Sequence, residues 1–225
     1  MGGLRLHCRF IVAVSAFALS SPIAARADRG ALTASIGAGP EIANVPAPYT
    51  RATPSLLSYQ FGALPEVRYA LQNWLEVELA VLFEAPTTYW FSGADVVTRS
   101  GSYPGTLRTK MWGLSPHVGG RLVLNHVWRP VLELDAGLSA RRFSQFQAID
   151  AARHDYLLGD ELSSLWVTQF LGAVGLGLEW APWTPRALDH LSVSLVPRLQ
   201  VRLASSGLAD WAVLVPLTVG WSWYR

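Results

Sequence analysis

Cysteine is almost absent from this sequence. The single thiol, Cys8, lies near the N-terminus and precedes an apolar run instead of following it, so it is badly placed to become a lipidated N-terminal cysteine. The rest of the chain is free of cysteine. Its composition therefore excludes a disulfide framework, a thiol nucleophile and a thiolate metal site.

Charge and long hydrophobic runs are also scarce. Only 15% of the residues are charged and 51% are hydrophobic, yet after the first 27 residues no segment approaches the ~20 apolar residues of a transmembrane helix. A polytopic helical membrane protein is thereby disfavoured. Among structures that satisfy their backbone in lipid, the closed β-barrel remains, because its apolar side chains alternate with polar ones.

The first 27 residues have the pattern of a cleaved secretory signal peptide. Arg5, His7 and Arg9 precede the apolar run 10–19, and a small-x-small cleavage site ends at Ala27. We therefore predict a signal peptide over residues 1–27 and one domain over residues 28–225. Removal of the signal peptide would remove three arginines and leave 15 basic against 16 acidic residues, a net charge of −1. This balance argues against nucleic acid as a partner.

Alternation with period two is the main structural signal. In residues 74–84, Leu75, Val77 and Leu79 occupy one face and Glu76 and Glu78 the other, which separates the two kinds of side chain only if the segment is a strand. The same pattern predicts eight strands, over residues 31–41, 55–71, 74–86, 105–124, 129–143, 165–181, 190–204 and 211–224. Prolines at positions 65, 116, 197 and 216 fall inside them and predict bulges or irregularities.

The connections between these strands alternate in length. Short turns follow strands two, four and six, whereas residues 42–54, 87–104 and 144–164 form longer polar or Gly/Pro-rich segments. The last outer connection, near residues 205–210, is short. Outer-membrane barrels place short turns in the periplasm and long loops outside. The sequence thus predicts an all-β, eight-stranded, antiparallel up-and-down transmembrane β-barrel.

Tryptophan placement favours lipid outside the barrel over a lipocalin-like soluble barrel. Two groups lie near the two predicted rims, as amphipathic rings do at two lipid–water interfaces. The predicted aromatic girdle consists of Trp74, Trp128, Trp180, Trp183, Trp221 and Trp223 at one rim and Trp90, Trp112, Trp166 and Trp211 at the other. Tyr89, Phe91, Tyr103 and Phe143 are assigned to the second rim as well. The alternative, ordinary strand aromatics packed in a core, stays open.

The polar face of each strand is then predicted to turn inward. The predicted interior network comprises Glu66, Arg68, Glu76, Glu78, Glu84, His117, Arg121, Glu133, Asp135, Arg141, Glu179, Arg198 and Arg202. An eight-stranded barrel has room only for its own side chains or one small ligand, so these groups must meet one another. We predict an ion-paired plug, with a charged pore constriction as the alternative.

Three segments resemble a known family. They are the alternating hairpin 66–79, the strand 129–137, and a closing strand that alternates from Val213 to Trp223, carries Gly220 and ends Tyr224-Arg225. On these patterns the chain resembles the small OmpA/OmpX/OmpW-type outer-membrane β-barrel proteins. The resemblance implies an integral protein of the bacterial outer membrane. It also implies outer-membrane lipid, including lipopolysaccharide, and the barrel-assembly machinery as partners.

Candidate chemistry is sparse. His190 and Ser192 are similar in spacing to the His-x-Ser pair of outer-membrane lipid A deacylases, but the only acid that follows them, Asp210, falls at the opposite end of the barrel. The acidic loop around His154 lacks the spacing of a calcium loop. We therefore predict no enzymatic activity, no cofactor and no metal. Five basic residues gather near the outer rim, where lipopolysaccharide phosphates lie: Arg99, Arg108, Lys110, Arg141 and Arg142.

The function predicted from these features is structural or interactive. The barrel would stabilise the outer membrane and display its loops outward. The alternatives are a narrow passive pore for small, including hydrophobic, solutes and, with less support, a lipid A-modifying membrane enzyme.

Overall fold

The fold is built from antiparallel strands. The structure, a computed structural model, describes residues 30–48, 55–97, 101–124, 128–149, 155–157, 162, 164–181, 190–203 and 209–223. None of these residues belongs to a helix long and apolar enough to cross a bilayer. The predicted signal peptide lies outside the described residues and stays a prediction.

Eleven strands follow one another along the described chain. They are β1 (Leu32–Pro46), β2 (Ser55–Gln72), β3 (Leu75–Val97), β4 (Ser102–Val123), β5 (Trp128–Ile149), β6 (Asp155–Leu157), β7 (Leu165–Trp180), β8 (Leu191–Leu195), β9 (Arg198–Leu203), β10 (Ala209–Leu214) and β11 (Leu217–Trp223). Two of the long strands expected from the sequence are each interrupted once. β8 and β9 together form the seventh barrel strand, and β10 and β11 the eighth.

The sheet closes on itself. Neighbours along the chain pair antiparallel from β1 to β5, and β5 then pairs with β7. β7 pairs with both β8 and β9, these pair with β11 and β10, and β10 and β11 both pair with β1. The result is a ring of eight antiparallel strands, which confirms the predicted fold class.

Two of the four in-strand prolines interrupt a strand. Pro197 separates β8 from β9 and Pro216 separates β10 from β11, because proline has no N–H to donate to the ladder. A glycine on the neighbouring strand makes room at each interruption. A Cβ on Gly177 would overlap the Leu195 carbonyl oxygen, and one on Gly39 would overlap that of Val215. Pro65 and Pro116 lie within the continuous strands β2 and β4.

The outer ends of the strands are longer than the sequence predicts. β3 continues to Val97, β4 begins at Ser102 and β5 continues to Ile149, so the predicted loop 87–104 is wrong over most of its length and the predicted loop 144–164 is wrong over residues 144–149. β1 likewise runs to Pro46, into the predicted loop 42–54. The short strand β6 adds to the outer end of β5. Over the residues that the structure describes, the outer end is therefore largely a continuation of the barrel wall.

Register shifts explain why alternation fails to reveal these extensions. β3 shifts register against β4 between Glu84 and Thr87 and again between Ser92 and Ala94. On β5, Gln145 has a positive φ of 56° where the register against β4 shifts. Each irregularity exchanges the faces on which odd and even residues lie.

The exterior of the wall is apolar. Leu134 on β5 is 57% exposed, and Phe170 and Leu176 on β7 are 69% and 70% exposed. Exposure of so many large apolar side chains around the ring is unfavourable in water and favourable against hydrocarbon.

The interior has two layers. Charged and polar side chains predominate between the periplasmic end, defined by the short turns, and the middle of the barrel, where Leu64, Ala80, Leu82 and Leu214 form a small buried apolar cluster. An apolar layer fills the outer end, with Tyr89, Phe91, Met111, Phe143 and Phe146 at its centre. The assignment of Tyr89, Phe91 and Phe143 to the outer aromatic rim is therefore wrong, since the register shift in β3 turns Tyr89 and Phe91 inward. The side chain of Tyr103 lies outside the described part of the chain.

Candidate functional site: the barrel interior and the outer rim

The larger of two ionic clusters lies toward the periplasmic end, and we call it the inner cluster. The alternation of β2, β3, β4, β5, β7 and β9 brings its members together, and all of them are buried. They are Arg68, Arg121, Arg129, Arg198, Glu66, Glu76, Glu78, Glu133, Asp135, Glu179 and His117.

Glu179 contacts three arginines in the part of the inner cluster nearest the periplasmic end. Its Oε2 lies 2.8 Å from the Nη1 atoms of both Arg68 and Arg121, and its Oε1 accepts a hydrogen bond of 3.0 Å from Arg129 Nη1. Arg121 also donates from Nε to Glu133 over 2.8 Å. Glu76 lies 3.1 Å from Arg121 Nη1, so three carboxylates face three guanidinium groups here, which compensates for the high cost of taking these charges out of water.

Arg198 contacts several carboxylates in the part of the inner cluster nearest the middle of the barrel. Its Nη2 lies 3.1 Å from Glu66 Oε2 and 2.9 Å from Glu78 Oε1, and its Nε lies 2.8 Å from Glu133 Oε2. Its Nη1 donates to His117 Nε2 over 3.3 Å. One cation therefore faces several carboxylates at this level of the barrel.

The second cluster, the outer cluster, comprises Arg141, Arg202, Glu41, Glu84 and Asp210. Glu84 accepts from both arginines, at 2.7 Å from Arg141 Nη2 and 3.0 Å from Arg202 Nη2. Arg141 reaches Asp210 at 2.8 Å, and Arg202 reaches Glu41 at 3.0 Å. All five side chains are almost completely excluded from solvent.

A hydrogen-bonded chain joins the outer cluster to the apolar layer. The Tyr89 hydroxyl donates to Gln60 Oε1 over 2.5 Å, and Gln60 Nε2 donates to Glu84 Oε1 over 3.0 Å. The Tyr89 ring stacks on Phe91 with centroids 6.1 Å apart. Tyr89 thus has its polar tip on the ionic network and its ring in the apolar layer.

All thirteen residues of the predicted interior network lie inside the barrel and are buried. Sequence reasoning missed three further members, Glu41, Arg129 and Asp210. Glu41 and Asp210 fall where the predicted strands gave way to loops, and Arg129 stands at the beginning of a predicted strand. Odd-numbered residues of β1 such as Thr33 and Ser35 face inward, and this alternation, continued along the strand, would have identified Glu41.

Negative charge exceeds positive charge in the described interior. Nine carboxylates and six guanidinium groups are buried there, so three negative charges have no matching arginine. Buried charges need a compensating partner or must be neutralised. The surplus is largest around Arg198.

The predicted aromatic girdle lies mostly on the exterior. At the periplasmic end Trp74, Trp128, Trp221 and Trp223 are exposed and Trp180 is half-buried. At the outer end Trp90, Trp166 and Trp211 are exposed and Trp112 is half-buried, with its ring 5.3 Å from that of Trp166. Trp183 lies outside the described residues.

Three basic side chains lie on the outer surface of β4 and β5. The Arg108 guanidinium lies 4.9 Å from the ring centroid of Trp90, and that of Arg142 lies 5.9 Å from Trp166. Lys110, two residues after Arg108 on β4, is exposed. Arg141 does not belong to this group, because its side chain points inward to Glu84. Arg99 lies outside the described residues.

His190 and Ser192 lie at the periplasmic end, away from Asp210. The His190 ring lies 5.4 Å from that of Trp221, and Ser192 is buried on the inner face of β8. Asp210 belongs to the outer cluster, where it accepts from Arg141 and from Gln169. Asp210 therefore does not orient His190 in the manner of a catalytic triad.

Comparison of the sequence with protein-family models and with curated proteins gives no match. Among solved structures, the fold is similar to that of Neisserial surface protein A, with a TM-score of 0.50, 13% identity, and coverage of 85% of this chain and 98% of that one. It is also similar to Ail of Yersinia pestis, with a TM-score of 0.49, 13% identity, and coverage of 87% and 100%. The closed ring, the apolar exterior and the first of these likenesses agree, and the chain is a small integral β-barrel of the bacterial outer-membrane type.

Proposed function

We propose that this protein is a plugged structural and interaction barrel of the outer membrane, one that spans the bilayer without conducting solutes. The observation that carries the proposal is the filling of the interior. Two ionic clusters and an apolar layer succeed one another along the axis, and their largest side chains are almost inaccessible to solvent. An eight-stranded wall leaves no volume for a water-filled channel beyond such side chains.

Conductance in planar bilayers tests this proposal. We expect the mature protein to insert without stable conductance steps, because every ion would have to displace buried ion pairs such as Arg141–Glu84. The double variant Arg141→Ala, Arg202→Ala empties the outer cluster of cations and provides a positive control for a weakened plug. Stable steps in the unmodified protein would instead favour the narrow passive pore.

We further propose that the outer basic surface, formed by Arg108, Lys110 and Arg142, binds anionic lipid headgroups such as the phosphates of lipopolysaccharide. Arg108 and Arg142 lie against Trp90 and Trp166, rings of the kind that settle at the lipid–water interface. Arginine binds phosphate oxygens through paired N–H groups. This surface would anchor the barrel in the outer leaflet.

The lipid that copurifies with the protein separates binding at this surface from general affinity for lipid. The triple variant Arg108→Ala, Lys110→Ala, Arg142→Ala should lose its preference for lipopolysaccharide over zwitterionic phospholipid, measured by retained lipid after detergent extraction. The variant Arg108→Lys, Arg142→Lys keeps the charge but loses the paired N–H groups, so it should keep only part of the preference. An unchanged preference in the triple alanine variant would contradict the proposal.

We propose no enzymatic activity for this barrel. The engagement of Asp210 in the outer cluster supports this, since the acid that follows the pair in the sequence accepts hydrogen bonds from Arg141 and Gln169 instead. A comparison of lipid A from cells that express the protein or its Ser192→Ala variant tests this. A product that the variant abolishes would restore the enzyme hypothesis.

A further inference from the structure

We propose that Glu78, His117 and Asp135 form a binding site for a divalent transition-metal ion inside the barrel. The three side chains come from consecutive strands, β3, β4 and β5, and all three are buried. One potential ligand atom from each lies within 4.8 Å of the other two. An imidazole with two carboxylates is a donor set that suits zinc and its neighbours better than calcium or magnesium.

The hydrogen bonding of His117 prepares its ring for a metal. Nδ1 lies 2.9 Å from the Ser115 carbonyl oxygen, which can only accept, so Nδ1 carries the proton and donates. The lone pair is therefore on Nε2, the atom turned toward the cluster. Metal-binding histidines characteristically donate their other ring N–H in this way.

The two carboxylates have oxygens to spare. Neither oxygen of Asp135 has a hydrogen-bond partner among the described residues, although its side chain is only 1% exposed. Glu78 Oε1 lies 2.9 Å from Arg198, whereas Glu78 Oε2 has no partner in the same part of the structure. Unpartnered buried carboxylate oxygens are costly, and a cation is the group that satisfies them most directly.

Arg198 does not balance the charge at this level. It serves Glu66, Glu78 and Glu133 at 3.1 Å or less, and reaches Asp135 only at 3.6 Å. Its Nη1 is the group that competes for His117 Nε2. A divalent ion would take that position and neutralise two of the three surplus charges of the interior, while Arg198 keeps its Nη2 and Nε contacts.

Glycine at position 119 keeps the space open. Gly119 lies on β4 between its paired residues Glu78 on β3 and Asp135 on β5. A Cβ at position 119 would overlap Asp135 Oδ1. Atoms that bind one ion at about 2.0–2.2 Å lie at most about 4.4 Å apart, so the present spacing, within 4.8 Å, is close to that of a metal site.

Titration of the purified mature protein in detergent, after treatment with a chelator, tests the site. Zn²⁺ should bind with one-to-one stoichiometry by calorimetry, and Co²⁺ should give a visible absorption band that Zn²⁺ removes. His117→Gln and Asp135→Asn should each lose at least 10-fold in affinity. Asp210→Asn, a buried carboxylate variant in the other cluster, should bind as the unmodified protein does.

A second readout protects the test against misfolding. Each variant is used only if it keeps the heat-dependent gel mobility of a folded barrel, and the Nε2 nitrogen resonance of His117 should shift on metal binding in the unmodified protein. Absence of binding to the unmodified protein would overturn the proposal. Binding that His117→Gln and Asp135→Asn leave unchanged would show an adventitious ion only and would overturn it equally.

Discussion

Arg141 and Glu84 form a two-pronged ion pair in the middle of the barrel. Nη2 of Arg141 donates to Glu84 Oε1 over 2.7 Å, and its Nε donates to Glu84 Oε2 over 3.0 Å. The two residues come from β5 and β3, with Gly113 of β4 paired to both. A Cβ at Gly113 would overlap the Glu84 carboxylate, so glycine there permits the pair.

The variant Arg141→Ala should be strongly destabilised. It leaves Glu84 and Asp210 with Arg202 as their remaining close cation, and breaking a buried pair from one side costs about 3–5 kcal/mol. The measurement is the free energy of unfolding in urea, followed by tryptophan fluorescence in lipid vesicles. Arg142→Ala is the matched control, because the next side chain faces outward and should cost less than about 1 kcal/mol. Equal losses would contradict the assignment of faces on β5.

The loss of stability caused by an arginine on the lipid face should depend on its depth in the bilayer. Leu134 lies about midway between Trp128 and Arg142, the partner of Trp166, so Leu134→Arg should cost about 2–4 kcal/mol in vesicles. Leu57→Arg on β2, paired with Asn44 near the outer end, should cost at most about 1 kcal/mol. Urea unfolding of both variants measures the difference. A Leu134→Arg variant as stable as Leu57→Arg would mean that Leu134 does not face hydrocarbon.

Gly177 and Gly172 on β7 should respond differently to alanine. A Cβ on Gly177 would overlap the Leu195 carbonyl oxygen beside the strand interruption, whereas one on Gly172 would meet nothing within 4 Å. Gly177→Ala should therefore cost about 1–3 kcal/mol through forced backbone shifts, and Gly172→Ala close to nothing. The same unfolding experiment compares them, and similar values for the two variants would be inconsistent with the close approach of β7 and β8.

Tyr89→Phe should uncouple the apolar layer from the outer cluster. The variant removes the hydroxyl that donates to Gln60 Oε1 and leaves that buried amide oxygen without this donor, at a cost of about 1–3 kcal/mol. Tyr59→Phe is the control, since Tyr59 is 71% exposed on the lipid side. Amide hydrogen exchange at the outer ends of β3 and β4 should accelerate in Tyr89→Phe only. No change there would assign the stability of the outer end to apolar packing alone.

The two faces of a strand could be predicted from the sequence wherever the alternation is uninterrupted. Glu76, Glu78 and Glu133 could be placed in the lumen, and Leu75, Val77 and Leu134 outside it, because a strand keeps its two faces for as long as its register holds. Ring closure and strand number followed from the same pattern and the alternating turn lengths.

The sequence failed where a bulge exchanges the faces. Tyr89, Trp90 and Phe91 look like one aromatic patch in the sequence, but Trp90 faces lipid and its two neighbours face inward. Asp210 was missed because it was assigned to the connection 205–210 near a glycine, and Glu41 was missed because it ends the predicted strand 31–41 beside Pro40. Ion-pair partners such as Arg198 and Glu66, 132 positions apart, depend on which side chains meet across the closed ring, and no local pattern encodes that.

The central claim is that hydrocarbon contacts the apolar face while the ionic face lines a filled centre. A nitroxide attached to Leu134→Cys in residues 28–225, which contain no other cysteine, tests it most directly in vesicles by comparing collisions with dissolved oxygen and with a water-soluble nickel chelate. This account predicts that oxygen relaxes the label strongly and nickel hardly at all. Strong relaxation by nickel would place water at residue 134 and contradict it.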